Sequence, residues 1–447
     1  MHVTPFGACG TVTGSCHLAT SGDTGVILDC GLYQGEHERR NAAAFGFDAA
    51  AAAAAVVTHA HLDHIGRLPQ LVSDGFSGPV LATPATLQLM EPMLDDALKV
   101  MTEDRRRAKK GGRPMGPPSW QADDLDRLRD LFIPLDYYSR HAIGSLTVEL
   151  KNAGHLPGSA FVQLEGDDKR LIYSGDLGNR RKEVLPDLDY AAPADLVLTE
   201  STYGDRNHKP LQETLDEFAT LVDDVLRSGG KVIIPSFALE RTQELLFYIR
   251  ALEREGRIPA EPVFLDSPLA IEVTRLYASL REEFGLKVRR LFDRGVDPFR
   301  PKHLTITKHV EDSKRINYRP GPATIIAGSG MIAGGRIMHH LIHHLGDERS
   351  CIIIVGFQPR GGIGRQLVDG RSTIRIWGRD HNVDARVATI GGFSGHAGRD
   401  QLLDWLSGQP RVALVHGEDT ARGSIADELT KRDQEPILGV AGSPIDV

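Results

Sequence analysis

The densest group of metal-ligating side chains follows a short apolar stretch near residue 57. Residues 59–64 read HAHLDH, which places four imidazole or carboxylate groups within six positions. In an extended segment, residues two apart point to the same side, so His59 and His61 can hold one ion. Asp63 and His64 follow where the chain turns toward a helix, and they can face a second ion. Imidazole and carboxylate ligands suit zinc.

Two later segments each offer one more ligand. Residues 152–160 place His155 in a turn rich in Gly and Pro, and residues 174–178 place Asp176 between two glycines that permit close backbone approach. Either turn alone would be unremarkable in a loop. Together with residues 59–64 they complete two ligand sets, with Asp176 able to bridge them. Two metal ions about 3.5–4 Å apart stabilise both the attacking and the leaving oxygen in displacement at phosphorus.

Short apolar strands are predicted to position these groups. In open α/β sheets, ligands collect beyond the carboxyl ends of the strands, so chemically active residues that follow several strands predict one shared site. The predicted strands cover 26–28, 55–58, 171–174, 196–199 and 412–415, and they lead into Asp29, His59, Asp176, Glu200 and His416.

A second region, residues 209–384, alternates predicted strands with predicted helices. This alternation indicates an α/β fold with a mostly parallel sheet covered on its faces. The region separates Glu200 from His416, and if those two residues share a site, the second domain is inserted into the first. We therefore predict one domain from residues 1–208 and 385–447, and an inserted domain from residues 209–384.

Composition argues against several other classes of protein. The net charge is −8, which excludes a generally basic nucleic-acid coat protein. The charge is uneven, because residues 209–384 carry +3 and the remainder carries −11. The 4 cysteines form no CxxC pair, which favours a reducing, cytoplasmic setting. No signal peptide and no apolar run of membrane-spanning length is visible, so no membrane association is expected.

The run at 59–64, His155, Asp176 and the early Asp29 resemble the metallo-β-lactamase superfamily, in that family's order. Further segments resemble the β-CASP ribonucleases, in particular the RNA-processing branch with the cleavage and polyadenylation endonuclease and stand-alone prokaryotic members. The resemblance implies an αββα sandwich with an inserted β-CASP domain. The segments that carry it are 199–205, 235–241, 266–270, 328–336, 392–397 and 415–418.

The same resemblance implies a ligand assignment for two zinc ions per chain. His59, His61, His155 and Asp176 would hold one ion, and Asp63, His64, Asp176 and His416 would hold the other. Asp29 looks like the family's acidic residue that orients a ligand without binding metal. RNA-directed members carry His where the DNA-directed branch usually has Val, so His416 points to a single-stranded RNA substrate.

A mechanism follows as a hypothesis. Two zinc ions would generate a hydroxide near neutral pH that attacks the scissile phosphorus, with Asp63 orienting it. His396 is the candidate general acid for the leaving 3′ oxygen, and Glu200 is expected to stabilise its imidazolium form. The products implied by the resemblance are a 5′-phosphate and a 3′-hydroxyl. The plainer alternative is that His396 and Glu200 are only a buried pair at the domain boundary.

The inserted region also offers groups suited to phosphate. Hydroxyls and amides at strand ends suit phosphate oxygens, glycines let the backbone approach, and Arg favours planar contact with phosphate. The residues predicted to contact RNA are Ser236, Arg241, Ser267, Ser329, Gly330, Arg336 and Arg365. Alternatively, these residues only form turns and helix caps. The basic run at 105–113 and the His-rich segment at 339–344 are interpreted as a solvated loop and an ordinary helix.

Two other functions stay open at this stage. One is a different hydrolase of the same superfamily, such as a thioesterase similar to glyoxalase II. The other is a catalytically silent RNA-binding scaffold, although such members usually lack several ligands and none is missing here. The residue types do not decide between endonuclease and 5′-to-3′ exonuclease action. They also leave open the RNA sequence preference, the physiological RNA and the oligomeric state, including a homodimer.

Overall fold

The computed structural model describes residues 1–111, 118–180, 182–359 and 361–447. The chain forms two compact units. The first comprises Met1–Arg180, Leu185–Asn207 and His396–Val447, and the second comprises Arg181–Val184 and His208–Gly395. The chain therefore leaves the first unit near residue 207 and returns to it at residue 396.

The strands alternate with helices through much of the chain. In chain order the strands are β1 (His2–Pro5), β2 (Cys16–Ser21), β3 (Thr24–Cys30), β4 (Ala54–Val56), β5 (Val80–Ala82), β6 (Phe132–Pro134), β7 (Arg140–Ile143), β8 (Leu146–Asn152), β9 (Ala160–Gly166), β10 (Lys169–Tyr173), β11 (Leu196–Thr199), β12 (Lys231–Pro235), β13 (Val263–Asp266), β14 (Leu304–Ile306), β15 (Ala323–Ala327), β16 (Cys351–Ile354), β17 (Thr373–Ile376), β18 (Arg379–Asn382), β19 (Arg386–Thr389), β20 (Arg411–Leu414), β21 (Glu435–Leu438) and β22 (Ile445–Asp446).

Most helices follow a strand directly or after a short loop. They are α1 (Leu62–Ile65), α2 (Leu68–Ser73), α3 (Pro84–Lys110), α4 (Ala122–Arg129), α5 (Leu211–Arg227), α6 (Arg241–Arg254), α7 (Pro268–Tyr277), α8 (Leu286–Asp293), α9 (Val310–Tyr318), α10 (Ile337–His344), α11 (Ile363–Val368), α12 (Arg399–Trp405) and α13 (Asp419–Thr430). Short 3-10 helices occupy Gly35–Ala42, Ala49–Ala51, Arg281–Glu283 and Gly391–Phe393.

The first unit is built on two sheets. In its described residues each sheet has seven strands, in the orders β22-β1-β2-β3-β4-β5-β6 and β21-β20-β11-β10-β9-β8-β7. Buried side chains from both sheets, such as Val56 and Leu198, form one apolar core between them. Leu402 of α12 and Ile425 of α13 pack with Ile172 on the other face of the second sheet. Burying both faces of a sheet requires such a layered arrangement.

The second unit is built on one sheet whose described strands run in the order β14-β13-β15-β12-β16-β19. Every neighbouring pair in this order is parallel. Parallel strands need crossover connections, which the helices between them provide. The predicted α/β class with a mostly parallel inserted sheet is confirmed.

The edge of the second unit differs from the predicted boundary at residue 384. Strand β19 pairs in parallel with β16, so residues beyond 384 belong to the inserted sheet. Residue 184 also contacts this unit, because its carbonyl accepts a hydrogen bond from Gly285 N at 2.9 Å. Among the described residues, no helix is both long and apolar enough to cross a membrane.

Candidate metal centre

The ends of several strands of the first unit bring the predicted ligands together. His59 follows β4, Asp176 follows β10, and His416 follows β20. β4 lies in the first sheet, whereas β10 and β20 lie in the second. The centre therefore forms where the carboxyl ends of strands from both sheets meet, as the strand-end pattern predicts.

One group of donors consists of His59, His61, His155 and Asp176, whose ligand atoms all lie within 4.8 Å of one another. His61 Nδ1 lies 3.2 Å from both His59 Nε2 and His155 Nε2. Asp176 Oδ2 lies 3.5 Å from His59 Nε2 and 3.8 Å from His155 Nε2. These four ligand atoms therefore surround a common point, with His61 within hydrogen-bond distance of both His59 and His155.

A second group consists of Asp63, His64 and His416. Asp63 Oδ2 lies 3.4 Å from His416 Nε2 and 4.0 Å from His64 Nε2. The other oxygen of Asp176, Oδ1, lies 3.3 Å from His64 Nε2 and 3.5 Å from His416 Nδ1. Asp176 thus directs one carboxylate oxygen to each group, which is the geometry of a bridging ligand.

The centre has the properties of a metal site. His64 Nε2 and Asp176 Oδ1 are buried without a hydrogen-bond partner in the described residues, and a buried polar atom left so is costly. Burial lowers the pKa of His59 and His61, so their rings are neutral and their nitrogen lone pairs remain available. The Asp176 and Asp29 carboxylates outweigh burial and raise the pKa of His64, so that ring would give up its proton to a bound cation. Imidazoles and a shared carboxylate fit two divalent cations with a preference for nitrogen and oxygen ligands, such as zinc.

Asp29 contacts His64 and other residues that surround the metal centre. It lies outside the ligand groups, and its Oδ2 is 2.7 Å from His64 Nδ1, which fixes the ring with Nε2 toward the centre. Asp29 also accepts hydrogen bonds from the Thr58 amide and hydroxyl at 2.7 Å and from the Tyr173 hydroxyl at 2.8 Å. In this position Asp29 can orient His64, and the role itself stays a prediction.

Several hydroxyl groups that contact the site residues were not predicted from the sequence. Thr58 contacts Asp29 and lies 3.0 Å from His59 Nδ1, and Thr202 Oγ1 lies 3.1 Å from His416 Nδ1. Tyr173 ends β10 and reaches Asp29. Each of the three lies within three residues of a predicted site residue. A hydroxyl at that spacing is the signal that would have identified them.

The predicted acid pair lies beside the ligands. His396 Nδ1 is 3.3 Å from Glu200 Oε2 and 3.8 Å from Asp176 Oδ2. Burial opposes the charged form of His396, but the Glu200 and Asp176 carboxylates outweigh it and raise the pKa of His396 to about 10. The ring keeps 21% of its surface exposed while Glu200 is fully buried. His396 can therefore hold a proton and present it to a bound molecule.

The second unit groups some of the residues predicted to contact phosphate. Ser236, Ser267 and the loop at 328–330 follow β12, β13 and β15, which are neighbours in the sheet. A Cβ at Gly328 would lie 3.3 Å from Ser267 Oγ and 3.9 Å from the Ser236 carbonyl oxygen. Ser267 caps α7 by accepting from Ala270 N, and Ser329 Oγ accepts from Ala333 N.

The predicted arginine contacts need correction. Arg241 is buried, and its Nη1 donates to the Val355 carbonyl at 2.6 Å. Arg336 donates to Asp266 Oδ1 at 2.6 Å and to the carbonyls of Thr307 and Lys308. These guanidinium groups bond within the second unit, because buried charge requires such partners, which leaves fewer of their N–H groups for phosphate than the sequence suggests.

Four other predicted features do not belong to the described donor groups. Arg365 is exposed and pairs with Asp369 at 2.9 Å one helical turn away, while Gly330 accepts a hydrogen bond from Gln358 at 2.8 Å. Within the described residues, no metal-ligand group includes the His-rich segment 339–344. In the basic run, Arg106 and Arg107 pair with Glu103, and residues 112–113 lie outside the described residues.

Known families match nearly the whole chain. Residues 9–235 match the metallo-beta-lactamase superfamily, residues 242–367 match the beta-Casp domain, and residues 380–438 match the Zn-dependent metallo-hydrolase RNA specificity domain. A ribonuclease of Thermus thermophilus, named Ribonuclease TTHA0252, is 47% identical over 447 residues, which cover 100% of both chains. The chain belongs to the beta-CASP ribonuclease family of the metallo-beta-lactamase superfamily.

Other relatives are more distant. Proteins named Transcription termination factor FttA from Methanosarcina mazei and Methanocaldococcus jannaschii are each 30% identical, over 97% and 96% of this chain and 69% of their own length. A crystal structure of a protein of unknown function from Enterococcus faecalis V583 covers 100% of both chains with a TM-score of 0.56 and 13% identity. That likeness shows the fold alone.

Proposed function

We propose that this chain is a zinc-dependent ribonuclease that hydrolyses RNA phosphodiester bonds, in RNA processing or decay. The observation that carries the proposal is the Asp176 carboxylate, whose two oxygens face two separate groups of donors. A bridging carboxylate between two cations suits displacement at phosphorus. The ribonuclease relative at 47% identity and the matched RNA specificity domain support RNA as the substrate.

Two zinc ions would be held by the two donor groups described above, with Asp176 shared between them. When bound, they would supply Lewis acidity at the phosphoryl oxygens and a lowered pKa for the attacking water. Burial opposes ionisation of Asp63, but hydrogen bonding to His416 contributes to lowering the pKa of Asp63, which stays ionised. Its carboxylate can accept a hydrogen bond from a water and orient it toward phosphorus.

The proposed role of His396 is to protonate the leaving group. Its imidazolium form, held by Glu200, gives a proton to the departing 3′ oxygen, which leaves a 3′-hydroxyl and a 5′-phosphate. Cations bound beside Asp176 would reduce the negative field at His396 and bring its pKa down toward neutrality, where a general acid works best. Glu200 is itself held in place, because its Oε1 accepts from Leu177 N at 2.6 Å.

The direct test measures zinc content and turnover together. His396→Ala should retain two zinc ions and lose about 10²–10⁴-fold in turnover of labelled RNA. His303→Ala, an exposed histidine of the second unit, is the matched control and should leave both quantities unchanged. Full metal content with full activity in His396→Ala would remove the acid role.

The same preparation separates the remaining alternatives. Wild-type protein that binds zinc and hydrolyses a thioester but leaves RNA intact would be a thioesterase. Protein without zinc and without cleavage would be a scaffold. RNA with a 5′-phosphate or a 5′-hydroxyl, labelled at each end in turn, distinguishes mononucleotides released from the 5′ end from internal fragments. The cytoplasmic location and a homodimer stay predictions from the sequence.

A further inference from the structure

A groove on the second unit has the charge of a polyanion-binding site. It has a volume of about 740 Å³ and lies between α6 and α8. Phe247, Ala251, Leu286 and Leu291 supply apolar surface. The charged lining is five basic residues and one acidic residue, which are Arg250, Arg254, Lys287, Arg290, Arg294 and Glu255.

Four of these five cations form no close ion pair within the described residues, although Asp297 and Glu253 act on Arg250 from farther away. Lys287 pairs with Glu183 at 2.5 Å and lies 5.8 Å from the centre of the Phe247 ring. No carboxylate of the described residues lies within 4.0 Å of the four arginines. Many arginines elsewhere on the surface do have such a partner, as Arg365 does with Asp369. A cluster of unpaired guanidinium groups repels itself, and an anionic ligand would relieve that cost.

The spacing of the arginines suits a nucleic-acid strand. Arg250 and Arg254 are four residues apart on α6, and Arg290 and Arg294 are four apart at the end of α8. Residues at this spacing lie about 5–6 Å apart on a helix surface, which is comparable with the separation of successive phosphates. Favourable interaction with the helix dipole would explain a basic residue at the C-terminal end of α6 or of α8. It would not explain two helices turning such residues into one groove.

The groove is not lined by Ser236, Ser267 or Ser329, the serines near the strand ends. Arg241 begins α6 near the end of β12, and Arg254 ends the helix after 14 residues. At 1.5 Å per residue, the two ends of the helix are about 20 Å apart. We infer that the groove is an accessory site for the sugar-phosphate backbone of single-stranded RNA. The inference rests on the proposed RNA substrate, and it adds a contact remote from the strand ends.

The test compares two double variants in an Asp63→Asn background, so that RNA binds without cleavage. Arg254→Gln/Arg290→Gln alters the groove, and Arg371→Gln/Arg379→Gln removes two exposed arginines elsewhere on the same unit. Removing two phosphate contacts should lower the slope of log Kd against log salt by about 1.4 for a single strand. That change corresponds to roughly tenfold or more in Kd at 0.1 M salt. The probe is a 30-nucleotide poly(U), followed by fluorescence anisotropy.

We expect the groove variant to weaken poly(U) binding and the control variant to bind as the background does. Equal Kd values and salt slopes in the two variants would overturn the inference. Binding of polyglutamate to the background protein as tight as that of poly(U), with the same loss in the groove variant, would assign the groove to acidic protein segments instead. If wild-type protein fails to cleave RNA at all, the proposed function fails. Cleavage by wild type with unchanged binding in the groove variant refutes only the groove.

Discussion

Glu200 holds two neighbours at once, because one of its oxygens faces the His396 ring at 3.3 Å and the other accepts from the Leu177 amide at 2.6 Å. The carboxylate is fully buried, and its own amide donates to Ser174 Oγ at 2.9 Å. His396, the candidate general acid, is therefore held by Glu200, a buried carboxylate from a distant segment of the chain. This relationship makes the contribution of Glu200 separable from metal binding.

Glu200→Gln should lower turnover about 10²-fold with little change in zinc content. The amide keeps the shape and the Leu177 contact but removes the charge that stabilises the imidazolium form. Turnover on labelled RNA and zinc by mass spectrometry are measured on the same sample. Loss of metal in step with activity would place Glu200 among the ligands instead, since its carboxylate lies within 4.8 Å of the donor atoms of Asp176 and His416.

Substitutions of Asp176 and of His416 should leave different numbers of zinc ions bound per chain. Asp176→Asn removes the shared carboxylate charge, so we expect fewer than one zinc ion per chain. His416→Ala removes a donor from the second group alone, so about one ion should remain in the first group. Metal analysis after gel filtration distinguishes the two results. Equal stoichiometry in both variants would contradict a bridging position for Asp176.

Asp29→Asn should weaken zinc binding without removing a ligand. The substitution disturbs the 2.7 Å contact with His64 Nδ1, and loss of such an orienting partner typically costs 10–100-fold in metal affinity. Affinity is measured by competition with a coloured chelator, and circular dichroism checks the fold. Unchanged affinity in a folded variant would leave Asp29 with a purely structural role.

Glu244 should make the protein less stable as the pH rises. Burial raises the pKa of Glu244 to about 7, although Lys182 Nζ lies 2.9 Å from its Oε1. Between the unfolded value of about 4.5 and the folded value, the native state holds a proton that the unfolded state has lost. The free energy of unfolding therefore falls through this window, by up to about 3 kcal/mol, and levels off above it.

The check compares urea midpoints at pH 5 and pH 8. Glu244→Gln should flatten the decline seen in the wild type, because the amide does not titrate. Glu255→Gln, an exposed neighbour at the end of the same helix, is the control and should retain the wild-type decline. A decline of the same size in Glu244→Gln would assign the pH dependence to other groups.

Strand ends are the part of this protein that sequence reasoning locates best. Asp176 and His416 follow short apolar strands of one sheet, and parallel packing brings such ends together. His59 also follows a short apolar strand, but that strand belongs to the other sheet. The 3.6-residue spacing also predicts a helix at 239–254, observed as Arg241–Arg254. Buried strands and amphipathic helices leave strong local patterns, so their positions are recoverable without tertiary information.

The arginines show where such reasoning fails. Arg241 and Arg336 occur next to glycine-rich or serine-containing turns, which favoured phosphate contacts. Their partners are the Val355 carbonyl and Asp266, 114 and 70 residues away in sequence. No local pattern reports a hydrogen bond over that separation. The sequence likewise did not predict that β19 belongs to the inserted sheet, because only its pairing with β16 shows this.

The return of the chain to the first unit has a consequence for synthesis on the ribosome. Strand β20 pairs with β11, yet more than two hundred residues of polypeptide must be made between them. The first donor group is complete once residue 176 has been made, whereas the second also needs His416. A nascent chain therefore carries only one complete group of ligands until residue 416 has been made. The second donor group is therefore complete only after the inserted unit has been synthesised.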